Sequence, residues 1–334
     1  RENAAMRKED PFVIMTVAAA LLVGAATAPA DPLRAMRYEP GTPEAARAWQ
    51  ERVRAELATL LHIDDLAGKR DAVPLEPETR TREGRDGYAL ETVSLRATPG
   101  RTFTAVVVRP ERVEAPLAAV VCIHGHGGNR MTPFDPAKKE YRLFGEVLAR
   151  RGYVVISTDV GQHEVYEPGR TLMGERLWDL IRCVDYLHTL PEVDARRIGC
   201  AGLSLGGEMA MWLGAMDPRV TATSSCGFLT VMDQMEQNHC MCWKFDGLRE
   251  RVDFADIYAL VAPRPLQCQN GRQEPETQFT VSLAKQALAE IRPIYRDLNA
   301  EDNVTLHVHD GGHEIDIEAL TDFVEKHLGA PRPE

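Results

Sequence analysis

Residues 200–208 read C-A-G-L-S-L-G-G-E, a lone serine set between glycines directly after the run R-R-I-G-C-A. Glycine weakens any strand or helix it interrupts, so the pattern is unfavourable unless a particular geometry requires it. G-x-S-x-G has such a use: it holds a serine on a sharp strand-to-helix turn with its hydroxyl exposed. Ser204 follows an apolar run of strand character and precedes a helix opening at Leu205. The amides at that helix N-terminus favour a developing anion. A glycine-rich helix cap without chemistry is the plainer alternative.

A serine nucleophile needs a base, and the chain has ten histidines. His307 and His309 fall within the strand-like run T-L-H-V-H-D, His327 near the end of the last helix, and His62 and His188 in or near other helix ends. His313, in D-G-G-H-E, sits on a loop beyond the last strand, where two glycines let the chain fold tightly and turn the imidazole inward. It is the candidate base. The base in turn needs a carboxylate to fix its tautomer. The loop G-R-Q-E-P-E-T-Q-F at 271–279 offers Glu274 and Glu276 and no aspartate. Glu274, held extended before Pro275, is the candidate and Glu276 the reserve; either is otherwise an ordinary solvated charge. A further glycine loop, I-H-G-H-G-G at 123–128, follows an apolar strand. It would present the backbone N–H of His126 to a substrate carbonyl oxygen, with the N–H of Leu205 as the other half of an oxyanion pocket.

These residues meet only if the chain supplies the right frame. Strands are expected at 118–124, 153–158, 197–201, 221–226, 265–270 and 305–310, with an antiparallel hairpin at 88–95 and 103–109. Helices are expected at 43–61 (opened by Thr42 and Pro43), 141–151, 174–190, 205–216, 278–297 and 315–328. Such alternation predicts an α/β fold, a mostly parallel central sheet with helices on both faces. Ligands of such sheets gather at the carboxyl ends of the strands, where all of these motifs fall.

Composition bounds the rest. The 334 residues are 44% hydrophobic and 27% charged, which describes a globular chain. A formal charge of −11 disfavours nucleic acid as a partner. Residues 6–30 have basic residues, an uncharged stretch and a terminal Ala28-Pro29-Ala30, the layout of a signal peptide for secretion or periplasmic export. An uncleaved anchor is the alternative; after cleavage no membrane association is expected. Residues 31–87 read as a helical N-terminal extension, 88–330 as the catalytic domain, and 227–264 as a connection that roofs the pocket.

The seven cysteines are odd in number, so at least one is unpaired within the chain. Cys122, Cys200 and Cys268 sit in strand-like runs as small hydrophobes. Pairing and oligomeric state are not legible.

Three separate positions, Ser204, Glu274 and His313, fall in the chain order associated with α/β-hydrolases. From about residue 88 to 328 the sequence resembles that superfamily, in particular its bacterial dienelactone-hydrolase-like and acetyl-xylan-esterase-like branch. The resemblance rests on H-G-H-G-G at 124–128, D-V-G-Q-H at 159–163 and G-E-R-L-W-D-L-I-R-C-V-D-Y-L at 174–187. A-P-R-P-L at 262–266 and D-G-G-H-E at 310–314 add to it. It implies an α/β-hydrolase fold and hydrolysis of short carboxylic esters, acetylated carbohydrate among them, through an acyl-enzyme and without a cofactor. The sequence departs from the branch in two places: dienelactone hydrolases use a cysteine where Ser204 stands, and relatives commonly use an aspartate where Glu274 stands. A peptidase of the prolyl-oligopeptidase type and a non-catalytic binding protein on the same fold are the rival readings.

Two clusters invite a metal reading. His124 and His126 lack a third ligand nearby, and His239, Cys240 and Cys242 in N-H-C-M-C-W-K-F-D-G-L have poor ligand spacing. The resemblance implies ordinary pocket wall there, so no metal is expected. Trp243 and Phe245 are expected to contact substrate, with a place in the core as the alternative.

Overall fold

A computed structural model describes residues 33–85, 87–111, 116–237 and 239–329; the expected signal segment lies outside them. The strands are β1 (Glu78–Arg85), β2 (Tyr88–Thr98), β3 (Arg101–Pro110), β4 (Leu117–Ile123), β5 (Val154–Thr158), β6 (Val193–Leu203), β7 (Val220–Cys226), β8 (Leu266–Gly271) and β9 (Val304–His309). They form one sheet in the order β1-β2-β3-β5-β4-β6-β7-β8-β9. Pairing is parallel from β5 through β9 and antiparallel among β1, β2, β3 and β5.

The helices among the described residues are α1 (Pro43–Leu60), α2 (Asp64–Ala67), α3 (Phe144–Arg150), α4 (Leu172–Thr189), α5 (Leu205–Met216), α6 (Met232–Met235), α7 (Leu248–Arg251), α8 (Phe254–Ala259), α9 (Val281–Asp297) and α10 (Ile317–Leu328). The period-two alternation of the strands divides them between two faces. Val106, Val108, Val120 and Cys122 pack with Phe144 and Leu148 of α3 and Leu320 and Val324 of α10. Val107, Val121 and Ile123 face the other way, into a core shared with α1, α4, α5, α8 and α9. Burial on both faces is what a parallel sheet needs.

The elements expected from sequence are present, with ends displaced by a few residues. The helix expected from 141 begins at Phe144, because Lys139–Tyr141 form a separate 3-10 turn followed by left-handed backbone at Arg142 and Leu143. Strand β1 was not expected. Its residues are charged and almost all exposed, so it has no apolar alternation to read; charge on an edge strand also discourages pairing with a second chain.

Helix α1 is fastened to the larger core. The Thr42 hydroxyl accepts from the Ala45 N–H at 3.2 Å, Pro43 opens the helix, and Ala46, Trp49, Val53 and Leu57 enter the larger core. The buried Gln50 amide donates to the carbonyls of Ala259 (3.1 Å), the last residue of α8, and Ala262 (2.7 Å) just beyond it. The Ala259 carbonyl also accepts from the Ala262 N–H, so Gln50→Leu keeps the size but strands the Ala262 carbonyl, and urea unfolding should show a loss of about 1–3 kcal/mol.

Candidate active site

The sheet register brings the motifs to one edge. Ile123 lies opposite Gly202, Leu203 opposite Cys226, Cys226 opposite Gln269, and Gly271 opposite His309. The loops that leave these residues therefore open side by side.

Ser204 sits between β6 and α5 with φ 62° and ψ −125°, backbone that an L-residue rarely adopts. Its N–H donates to the Cys226 carbonyl at 2.9 Å. The flanking glycines have a steric reason: a Cβ on Gly206 would overlap the Ile123 carbonyl, and one on Gly202 the carbonyl of Gly206. Across the turn, the Gly125 N–H donates to the Tyr141 hydroxyl at 2.8 Å. His124 is buried and occupied: its Nδ1 donates to the Gly125 carbonyl (2.8 Å) and its Nε2 accepts from the Val160 N–H (3.0 Å). The backbone N–H groups of Leu205 and His126 have no hydrogen-bond partner among the described residues. Both residues border a cavity of about 260 Å³ that also reaches Ser204 and His313.

The candidate acid and base stand on two loops joined to each other. Arg272 N–H donates to the His309 carbonyl (2.9 Å), and Gln273 donates through its N–H to Gly311 (3.0 Å) and through its amide to Asp310 (2.6 Å). Glu274, with its carboxylate almost fully buried, places its two oxygens 2.9 and 3.1 Å from His313 Nδ1. Glu276, the reserve, is exposed. Phe279 stacks on the imidazole, with ring centroids 5.5 Å apart and planes 20° apart. Gly227, at φ 59°, lies close to its Cε1–Nδ1 edge; a Cβ there would come 2.9 Å from Cε1 and 3.1 Å from Nδ1. With Nδ1–H given to the carboxylate, Nε2 is the nitrogen left to act as a base. No hydrogen bond joins Nε2 to Ser204 Oγ among the described residues, and such contacts tighten when substrate binds.

The model of the Dienelactone hydrolase family matches residues 103–237. The hydrolase-named protein YtaP of Bacillus subtilis (strain 168) is 26% identical over 230 residues, 61% of this chain and 75% of that protein. Methylesterase BT1017 superposes with a TM-score of 0.72 at 22% identity, covering 88% of this chain and 66% of that one. The acetyl xylan esterase of Paenibacillus sp. R4 superposes with a TM-score of 0.59 at 18% identity, covering 81% and 94%. Residues 103–237 thus match the Dienelactone hydrolase family, and the fold as a whole is α/β-hydrolase-like.

Two expected substrate contacts lie elsewhere in this fold. Trp243 is buried against Phe254, and Phe245 packs near Trp212 at the edge of the larger core; neither borders the cavity. Both large rings satisfy the core and so anchor the roof, while Phe228, Met235, His239 and Phe279 supply the walls. Tyr141, Gly227 and Phe279 were not singled out from sequence, since each acts through one tertiary contact. His126 and Cys240 border the cavity too, and His163 and Cys242 lie beside them.

Glu208, on the first turns of α5, is buried on the cavity wall with Oε1 unpartnered. Burial pushes its carboxyl up to about 8, partly offset by the Arg176 guanidinium, so the folded chain keeps this proton at neutral pH. The unfolded chain releases it near 4.5. Between those values the folded state binds more protons, so this group's contribution to stability falls as pH rises, by up to roughly 1.4 kcal/mol per pH unit. Glu208→Gln should flatten that slope in urea unfolding at pH 5 to 8 and be the more stable chain at pH 8.

Proposed function

We propose that this hydrolase is a serine carboxylesterase acting on short-chain esters. The observation that carries the reading is the buried Glu274 carboxylate paired with His313 across the cavity from a strained, cavity-facing Ser204. In the proposed reaction Ser204 Oγ attacks the ester carbonyl as His313 Nε2 takes its proton, then returns it to the leaving alcohol. Glu274 holds the imidazole in the required tautomer and stabilises the imidazolium. The N–H groups of Leu205 and His126 receive the oxyanion, where one such donor is worth about 3–4 kcal/mol in enzymes from which it has been removed. Water then resolves the acyl-enzyme by the same proton path.

A cavity of about 260 Å³ suits an acetyl or similarly small acyl group. Likeness to proteins named acetyl xylan esterase and methylesterase supports an esterified carbohydrate as the natural substrate. The layout of residues 6–30 supports export, to the periplasm or the medium. No helix among the described residues is long and apolar enough to cross a membrane.

The test is hydrolysis of p-nitrophenyl acetate alongside an aminoacyl anilide and acetylated xylan. Cleavage of the esters and not the anilide is expected. Ser204→Ala should lower kcat by about 10⁴–10⁶-fold, the scale of serine hydrolase knockouts. Glu274→Gln should cost on the order of 10⁴-fold, while Glu276→Gln leaves the rate unchanged. Activity that survives Ser204→Ala, or that depends on Glu276 instead, would overturn the assignment.

A further inference from the structure

Four side chains from three separated stretches meet at the rim of the cavity. His126 lies on the loop after β4, His163 on the loop after β5, and Cys240 and Cys242 on the connection between α6 and α7. One donor atom from each lies within 4.8 Å of all the others. His126 Nε2 is 3.1 Å from Cys242 Sγ, and His163 Nε2 is 3.2 Å from Cys240 Sγ. Donors bound at about 2.0–2.3 Å on the corners of a tetrahedron stand roughly 3.3–3.8 Å apart, so the cluster is already close to the size of such a shell. Two sulfurs and two imidazole nitrogens suit zinc, whereas calcium and magnesium take oxygen.

We propose that the chain binds one zinc-class divalent cation through His126 Nε2, His163 Nε2, Cys240 Sγ and Cys242 Sγ. Arg176 points independently to the same site. Its side chain is fully buried, its Nε has no hydrogen-bond partner, and it forms no ion pair with a carboxylate among the described residues. Its Nη1 is directed at Cys242 Sγ at 3.5 Å, and its Nη2 donates to the carbonyl of Gln162, the neighbour of His163. A buried guanidinium needs a compensating anion. Cys242 as a metal-held thiolate supplies one, and the N–H···S contact is the kind of outer hydrogen bond that orients a ligand.

The binding step balances. Two thiols release two protons, two metal–sulfur and two metal–nitrogen bonds form, and the two thiolates neutralise the cation. All four positions are filled by protein, so the ion has no open site for substrate or water and acts as a fastening. It ties the roof to the loops that leave β4 and β5. Through His126 it also holds the backbone of the H-G-H-G-G loop.

Elemental analysis of the full chain, purified without chelator, tests this. About one zinc per chain is expected, falling below about a tenth in Cys240→Ser, Cys242→Ser and His163→Ala. His239→Ala, which removes a neighbouring imidazole outside the cluster, should keep its metal. Because a ligand variant can misfold, metal-stripped wild type is also titrated with cobalt(II). Tetrahedral thiolate ligation predicts intense visible bands with thiolate-to-cobalt charge transfer, saturating at about one equivalent. Wild type that neither retains zinc nor develops those bands would refute the site. So would zinc content unchanged in all three ligand variants.

Discussion

The backbone of Ser204 is the constraint on which the rest depends. A residue at φ 62° and ψ −125° carries strain of about 1–3 kcal/mol, and it persists only where the surroundings leave no alternative. Here they are over-determined. Ser204 N–H is bonded to Cys226 on one side, and Gly206 presses on the Ile123 carbonyl on the other. A relaxed serine backbone would have to separate β4 from β6 or β6 from β7. The strain is thus maintained by the middle of the sheet, its most buried and least deformable part. The same close approach fixes the neighbouring loop, because Gly125 lies against Leu203 and Ser204 and is bonded by Tyr141.

The proposed acid–base pair rests on a different support. Glu274 and His313 belong to loops leaving β8 and β9, and those loops are bonded mainly to one another. Phe279 stacks on the imidazole and Gly227 lies close to its Cε1–Nδ1 edge, so packing restrains the ring while the carboxylate sets its tautomer. The extra methylene of a glutamate is accommodated because the pair is set by this loop geometry: both oxygens lie within hydrogen-bond distance of Nδ1. The serine and the imidazole are held by separate loops, and both border the same cavity.

How much of this the sequence reveals follows from the range of each interaction. Strands β4 to β9 and the long helices are legible because each carries its own periodicity and punctuation, such as Thr42-Pro43 or the glycines around Ser204. The pairing of Glu274 with His313 is legible because chain order and loop position leave few partners. Strand β1 is hidden, since a charged edge strand lacks alternation and forms only against β2. The meeting of His163 with Cys240 is hidden for a stronger reason. The two are separated by 77 residues, and His126 and Cys242 by 116, so no local spacing signals either contact. The nearest histidine in sequence, His239, turns instead toward Phe279.

The places of Trp243 and Phe245 bear on how the roof sets selectivity. A covering segment held only by polar contacts opens and closes, and its pocket takes the shape of its guest. Here Trp243 is sunk against Phe254, and Phe254 in turn against Phe228, one of the cavity walls. The aromatic chain runs from the roof through the core to the wall, so widening the cavity means disturbing buried rings. Interiors packed to this density respond in discrete rearrangements. In the proposed esterase reaction, a roof mounted in this way would discriminate by exclusion, with the upper size of the acyl group set by the packing of the core.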